Sequence, residues 1–235
     1  MQTTHIVSAY DSELKEMVTD VLDMGEKVLG MMKFSRDALT KPSDDLVTEA
    51  RTLDKKINAL DIGLQKKATK LIALRQPMGV DLRFVVSVLK IASSMERMGD
   101  LAKSTCRKAE KFTSLTSKEV NHDLEQMNTL VTNMLEHVLT AFRDMNTSIA
   151  SEVLDEDNAV DDTYKQLLKD VIVLVKNKPD AIPAFADIIF AAKNFERIGD
   201  HVSKVADLIH YISSGQYVAK AKKAEAAALK NKSNN

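Results

Sequence analysis

The chain has 235 residues, and 33 Lys and Arg against 34 Asp and Glu leave a formal net charge of −1, so bulk electrostatics give no reason to expect nucleic acid as a partner. Seven glycines, four prolines, 5% aromatics and no tryptophan exclude a turn-rich β architecture and predict an all-α protein. Cys106 is the single cysteine. It cannot form an internal disulfide and fits a reducing compartment.

The opening Met1-Gln2-Thr3-Thr4-His5 lacks a basic region followed by an apolar core, so no signal peptide is expected. Apolar stretches near 84–95 and 181–192 are broken by Lys90 and Asp187, so no membrane span is expected and the chain reads as cytoplasmic.

Six long helices are predicted in chain order, over roughly 6–35, 44–75, 78–112, 117–148, 151–177 and 180–214. Pro42 with Ser43-Asp44-Asp45 opens the second helix and Pro77 the third. Thr116, with Glu119 three residues on, has the form of a capping box for the fourth. Ser151 is the expected N-cap of the fifth, Pro179 and Pro183 fit the first turn of the sixth, and Gly215 is its expected C′ residue. The second helix has the clearest period: Leu46, Ala50, Leu53, Ile57, Leu60, Leu64, Ala68 and Leu71 step by three and four, the seam a bundle helix buries. Short connections make consecutive helices antiparallel neighbours.

The halves repeat. At an offset of 110, Leu14, Met17, Thr19, Val21, Met24 and Leu29 match Leu124, Met127, Thr129, Val131, Met134 and Leu139. At 103, Asp54 matches Asp157 and Asn58 matches Asp161. At 100, Glu96-Arg97-Met98-Gly99-Asp100 matches Glu196-Arg197-Ile198-Gly199-Asp200. Two tandem, internally repeated three-helix bundles follow, over 1–114 and 115–214. Beyond them lies a tail over 215–235 that carries Lys220, Lys222, Lys223, Lys230 and Lys232 and is expected to be flexible.

Each Glu-Arg-x-Gly-Asp copy places two carboxylates one helical turn apart on one face, inside an apolar run where unpaired charge is costly. Asp157 and Asp161 form a further pair on the preceding helix, and antiparallel packing would bring them to Glu196 and Asp200. Such hard oxygen donors suit Mg²⁺, Mn²⁺, Ca²⁺ or iron. Asp54, Asn58, Glu96 and Asp100 make the equivalent set in the first half. Asn58 supplies only a carbonyl oxygen there, and Lys55 and Lys56 flank Asp54, so this set is the weaker one. Asp61, one turn further on, could compensate. Gly99 and Gly199 each cost a helix about 1 kcal/mol relative to Ala, repaid by close backbone approach or by room beside the acids.

Three functional readings compete: a metal-bearing regulatory scaffold, a metalloenzyme with a carboxylate-bound cluster, and a structural bundle in which Arg97 and Arg197 neutralise the acids in interhelical ion pairs. Glu119-x-x-His122 and Asp207-x-x-His210 do not complete a di-iron pattern, and their histidines read as surface residues. Cys106 lies on a buried stripe and reads as core. No glycine-rich phosphate loop, nucleophile elbow or zinc spacing occurs, so no catalytic constellation is expected.

With these residues in view, the chain resembles the PhoU family of phosphate-transport regulators. The resemblance runs from His5 to Gly215. It is strongest at Leu74-Arg75-Gln76-Pro77 with Asp81-Leu82-Arg83, and at the two Glu-Arg-x-Gly-Asp copies, the second continuing into His201. It implies a non-catalytic cytoplasmic protein, often a homodimer. Such a protein acts at the inner membrane face between a phosphate ABC transporter and a sensor histidine kinase, and represses the phosphate-starvation response when phosphate is plentiful. It also implies metal clusters (Mg, Mn, Zn or Fe) at Asp157, Asp161, Glu196 and Asp200, and at Asp54, Glu96 and Asp100. Asn58 departs from the family's usual acid, Ser104 and Lys204 from a frequent asparagine, and Arg107 stands where the second repeat has Asp207.

Overall fold

The structure, a computed structural model, describes residues 8–111, 117–177 and 182–219. Six helices account for nearly all of them: α1 Ser8–Thr40, α2 Asp44–Arg75, α3 Gly79–Lys108, α4 Lys118–Asp144, α5 Thr147–Asn177 and α6 Ile182–Ser214. A short 3₁₀ turn, Ala109–Lys111, follows α3. No strand occurs among the described residues.

The caps explain most boundaries. Ser43 accepts from the Leu46 amide at the start of α2, and Ser117 accepts from the Val120 amide at the start of α4. Thr116, expected to form that cap, lies outside the described residues. Pro183 sits in the first turn of α6, and Gly215 (φ +77°) ends it with its amide on the Tyr211 carbonyl, a left-handed conformation suited to glycine.

Two boundaries differ from expectation. Helix α1 continues to Thr40, because Ala38 and Leu39 are buried and hold its last turn in the core. The break between α4 and α5 falls at Met145, in the left-handed region (φ +49°), and the Asn146 side chain accepts from the amides of Ser148 and Ile149. Asn146, not Ser151, therefore caps α5. Ser151 lies inside the helix, its Oγ 3.0 Å from His210 Nε2, so His210 is a half-buried link to α5 rather than a surface histidine. His122 is exposed as expected.

The repeat is visible in the packing. Buried Met17, Val21 and Met24 on α1 recur as Met127, Val131 and Met134 on α4, and Ala50, Ile57 and Leu64 on α2 recur as Val153, Val160 and Leu167 on α5. Helices α2 and α5 are outermost, α2 packing against α1 and α3 and α5 against α4 and α6, whereas α3 and α6 lie along each other at the centre. They run antiparallel: Arg83 at the start of α3 donates to Ile212 O near the end of α6 at 3.1 Å, Asn194 Nδ2 donates to Thr105 Oγ1 at 3.1 Å, and Lys108 Nζ pairs with Asp187 at 2.9 Å. Asn128 ties α4 to α1 through the Met32 carbonyl, 3.1 Å away. The two three-helix units thus share one continuous apolar core. The expected boundary at 114/115 falls among residues outside the description.

Charge does not repeat as faithfully as apolarity. On α2, Lys67 bridges Asp20 and Glu16 of α1 at 2.7 and 3.4 Å. The matching residue on α5 is Asp170, which faces buried Asp123 of α4; burial first, and the Asp170 carboxyl second, raise the Asp123 pKa above its ordinary value. A carboxyl that binds its proton more firmly when folded stabilises most at low pH, and that contribution is lost as pH climbs from the ordinary carboxylate value through the raised one. Asp123→Asn should therefore raise stability at pH 7 by about 1 kcal/mol and flatten the pH dependence just above pH 4. Thermal melts from pH 3 to 7 that superimpose on the wild type would refute this.

Of the tail expected to be flexible, residues 216–219 are described, and they fold back on α6. Tyr217 stacks on Tyr211 with ring centroids 4.6 Å apart, and the amides of Val218 and Ala219 donate to Asp207 Oδ1 at 2.6 and 3.0 Å. Residues 220–235 lie outside the description.

Candidate metal centre: two acidic faces of unequal chemistry

Both Glu-Arg-x-Gly-Asp copies lie at the middle of the antiparallel α3–α6 packing. Met98, Gly99, Ile198 and Gly199 are buried there, while the acids flank the outer helices. The two glycines serve different ends. A Cβ on Gly99 would meet Ile57 Cδ1 at 3.1 Å and Met31 Sδ at 3.4 Å, so this glycine lets α3 approach apolar side chains of α2 and α1. A Cβ on Gly199 would meet Asp157 Oδ1 at 3.2 Å, so that glycine leaves room for a carboxylate. Gly99→Ala should be neutral to stabilising, since the helix gains up to about 1 kcal/mol and flexible side chains can shift. Gly199→Ala should displace Asp157, visible as changed amide shifts on α5. The reverse pattern would contradict the assignment.

On the first face, α3 brings Asp100 and α2 brings Asp54 to a single lysine. Lys103 Nζ is 2.7 Å from Asp100 Oδ1 and 2.7 Å from Asp54 Oδ2. Burial opposes its charge, but the hydrogen bonds to Asp100 and Asp54 prevail and hold its pKa above the ordinary value. Glu96 stands one turn before Asp100, and burial, with the Asp100 and Asp61 charges, raises its pKa. Asp61 bonds Gln65 through one oxygen at 2.7 Å, buries the other without a partner, and lies close enough for its charge to act on Glu96. Asn58 is half-buried on the same helix. A groove of about 420 Å³ beside Asp54 and Asp100 is rimmed by Arg51, Lys55 and Arg107.

The second face is built differently. Asp157 is buried on α5 against Gly199, and Asp161, one turn on, is exposed. Glu196 Oε1 accepts from Lys193 Nζ at 2.6 Å, an i,i+3 contact within α6, while its Oε2 is buried without a hydrogen-bond partner. Ser203, which matches Lys103, also buries its Oγ without a partner. Asp200 is half-buried beside them. The His201 imidazole is pushed down to about 4 by burial and by Lys204, Arg197 and Arg97, so it is neutral at physiological pH, and its Nδ1 is buried without a partner.

The arginines do not do what a structural bundle would require. Arg97 reaches only Glu96 and Asp100 of its own helix, at 3.6 and 4.0 Å, and Arg197 makes no ion pair among the described residues. Lys103, which sequence reasoning passed over, supplies the interhelical neutralisation. Its signal was present: a lysine three residues after an acid on the same helix face. Among the described residues, no three His, Cys, Asp or Glu side chains converge in a metal-holding arrangement. The donor chemistry of the second face nevertheless fits a hard cation, with buried oxygens from Asp157, Glu196 and Ser203 and an orphaned carboxylate oxygen. The first face fits one less well, because an ammonium already binds two of its three family-type carboxylates. Cys106 is buried and its thiol is pushed up to about 11 by desolvation, which suits a core residue.

These features define a class: an all-helical, internally duplicated scaffold that presents acidic helix faces to either side of a shared core. A sequence model described as the PhoU domain matches residues 21–109 and again 124–209. The phosphate-specific transport system accessory protein PhoU homolog of Caulobacter vibrioides is 33% identical over 91% of this chain and 94% of its own length. The Escherichia coli accessory protein PhoU is 30% identical over 90% and 88%. The crystal structure of PhoU from Pseudomonas aeruginosa superposes with a TM-score of 0.83 at 28% identity, covering 88% of this chain and all of that one. That of the Streptococcus pneumoniae phosphate transport system regulatory protein PhoU gives 0.82 at 27%, covering 89% and 99%. The chain belongs to the PhoU family.

Proposed function

We propose that this protein is a non-catalytic accessory protein of phosphate-specific transport. In this reading it couples a phosphate ABC transporter to a sensor histidine kinase, and represses the phosphate-starvation response when phosphate is plentiful. The observation that carries it is the match along nine-tenths of the chain to relatives named as phosphate-specific transport system accessory proteins. No helix among the described residues is long and apolar enough to cross a membrane. In this reading the protein works from the cytoplasmic side through its partners, as a homodimer.

Metal is part of this reading. Asp157, Glu196 and Asp200 would hold a divalent or trivalent ion (Mg, Mn, Zn or Fe), with Asp161 at the solvent edge. When bound, the ion would neutralise the carboxylates and tie α5 to α6. The unpartnered buried Glu196 Oε2 supports this, because burying a charged oxygen without a partner is unfavourable.

Two measurements test the reading. Deleting the gene should switch on phosphate-starvation genes in high phosphate, and unchanged expression would sink the regulatory role. Elemental analysis of untagged protein prepared without chelator should find metal. Less than about one tenth of an ion per chain after reconstitution would remove the metal from the proposal, since oxygen sites of this kind load whichever cation is available.

A further inference from the structure

We propose that Lys103 is a tethered cation that takes a metal's place in the N-terminal half, so that this chain loads metal on its C-terminal face alone. The inference rests on the metal reading above for the C-terminal half, and its geometry is independent of it.

The Lys103 ammonium lies 2.7 Å from one oxygen of Asp54 on α2 and 2.7 Å from one oxygen of Asp100 on α3. It thereby joins the same two helices that a bridging metal ion would join. An ammonium has three N–H donors and no acceptor, and two of the three are spent here in charge-assisted bonds, among the stronger hydrogen bonds a protein makes. A metal ion seated between those carboxylates would have to expel it.

The position one hundred residues on holds Ser203, whose Oγ is buried without a partner. A hydroxyl is an oxygen donor to a cation, whereas an ammonium is a competitor. The C-terminal face does contain a lysine, Lys193, but it reaches Glu196 from within α6, meets α5 only through the Tyr164 ring at 5.4 Å rather than through a carboxylate, and leaves Glu196 Oε2 unpartnered.

The surroundings are inverted in the same sense. Arg51, Lys55 and Arg107 rim the groove beside Asp54 and Asp100 and make no ion pair among the described residues. Their matches in the second half are Leu154, Asn158 and Asp207. Four cations thus stand around Asp54 and Asp100, with the Glu96 and Asp61 carboxylates one turn away, and they lower the attraction of the first face for a further cation.

The test exchanges the two residues. Untagged protein is stripped with chelator, dialysed against Mn²⁺, and assayed for metal per chain. The site is located by combining each variant with Glu96→Gln or Glu196→Gln. Wild type should lose its metal with Glu196→Gln and keep it with Glu96→Gln. Lys103→Ser should gain metal that Glu96→Gln removes, and Ser203→Lys should weaken the C-terminal site by about a hundredfold or more. Metal shared equally between the faces in wild type, or no gain in Lys103→Ser, would overturn the proposal.

Thermal melts separate this outcome from failure of the metal reading. Lys103→Ser should melt several degrees below wild type, with Mn²⁺ restoring most of the difference. If wild type binds no metal, the reading of the C-terminal face fails, yet a metal-rescued Lys103→Ser still upholds Lys103 as the substitute cation. If Lys103→Ser does not fold, Lys103→Met, which keeps the side-chain stem, takes its place. A Lys103→Met protein that melts like wild type and takes up no additional Mn²⁺ would end the idea.

Discussion

Phe84→Ala should lower the unfolding free energy by about 3–5 kcal/mol, the range for emptying a fully buried phenylalanine site, while unfolding remains a single transition. Phe84 on α3 is completely buried, and its ring lies nearly parallel to that of equally buried Phe142 on α4, with centroids 6.3 Å apart. The pair therefore joins the two sequence repeats. Truncating one ring removes transfer free energy, leaves a cavity that a close-packed interior fills only in part, and deprives the other ring of its partner. If the repeats were independent, the variant would split denaturation into two steps and destabilise only one. Because buried side chains of both repeats form one core, the loss should instead move the entire transition. Denaturant melts followed by circular dichroism and by hydrogen exchange on α2 and α5 check this. Two resolved transitions, with one unmoved, would show separable halves.

Arg83→Ala should cost about 2 kcal/mol, well above the change expected for an ordinary half-exposed arginine. Its guanidinium donates to Ile212 O at 3.1 Å and approaches Ser213 O at 3.5 Å. It thus satisfies carbonyls that a helix end otherwise leaves open, and places positive charge at the negative end of the α6 dipole. The same corner of the molecule is tied elsewhere. Tyr10 donates to Asp81 at 3.1 Å, its pKa pushed up to about 12 by burial and by that bond, and Arg75 pairs with Glu13 at 3.1 Å. Arg83→Lys should recover only part of the loss, because a point ammonium lacks the fork that spans adjacent carbonyls. Hydrogen exchange at residues 212–219 should quicken in both variants. A destabilisation of Arg83→Ala under about 0.5 kcal/mol would show that the contacts contribute little.

That corner also gives Leu74-Arg75-Gln76-Pro77 and Asp81-Leu82-Arg83, where the family resemblance was read from the sequence, a structural role. Gln76 takes the left-handed conformation that closes α2, Pro77 follows it, and Arg75, Asp81 and Arg83 then bind α1 and α6. The motif is a structural corner. Nothing in its spacing announced this, since its partners lie between 62 and 130 residues away.

Much of the molecule was legible in one dimension. Apolar residues recurring by three and four produced six helices, and the repeated Met17, Val21 and Met24 pattern produced two units, because burying a helix stripe is the dominant favourable term and leaves a periodic trace. Boundaries were readable where a local side chain closes the helix, as at Ser43 and Gly215. They were misread between α4 and α5, where Asn146 caps and Met145 adopts a strained conformation that tertiary packing compensates. The acidic faces were visible as i,i+4 carboxylates, and Asn58 with its lysine neighbours already set the first apart from the second. The neutralising agent was not foreseen. A lysine on α3 can point to solvent, to its own helix or to α2, and only the packing of α2 against α3 brings Asp54 within 2.7 Å of Lys103.

Periodicity and repetition, properties of the chain alone, thus determine the helices, their duplication and the residues that could bear charge. Which charges meet is decided in three dimensions. Coulomb energies depend on distances between helices far apart in sequence, and burial sets how strongly each is felt. The two Glu-Arg-x-Gly-Asp copies are nearly identical as strings, and they differ as sites because an ammonium joins Asp100 to Asp54 beside one, while the matching position beside the other holds a buried hydroxyl.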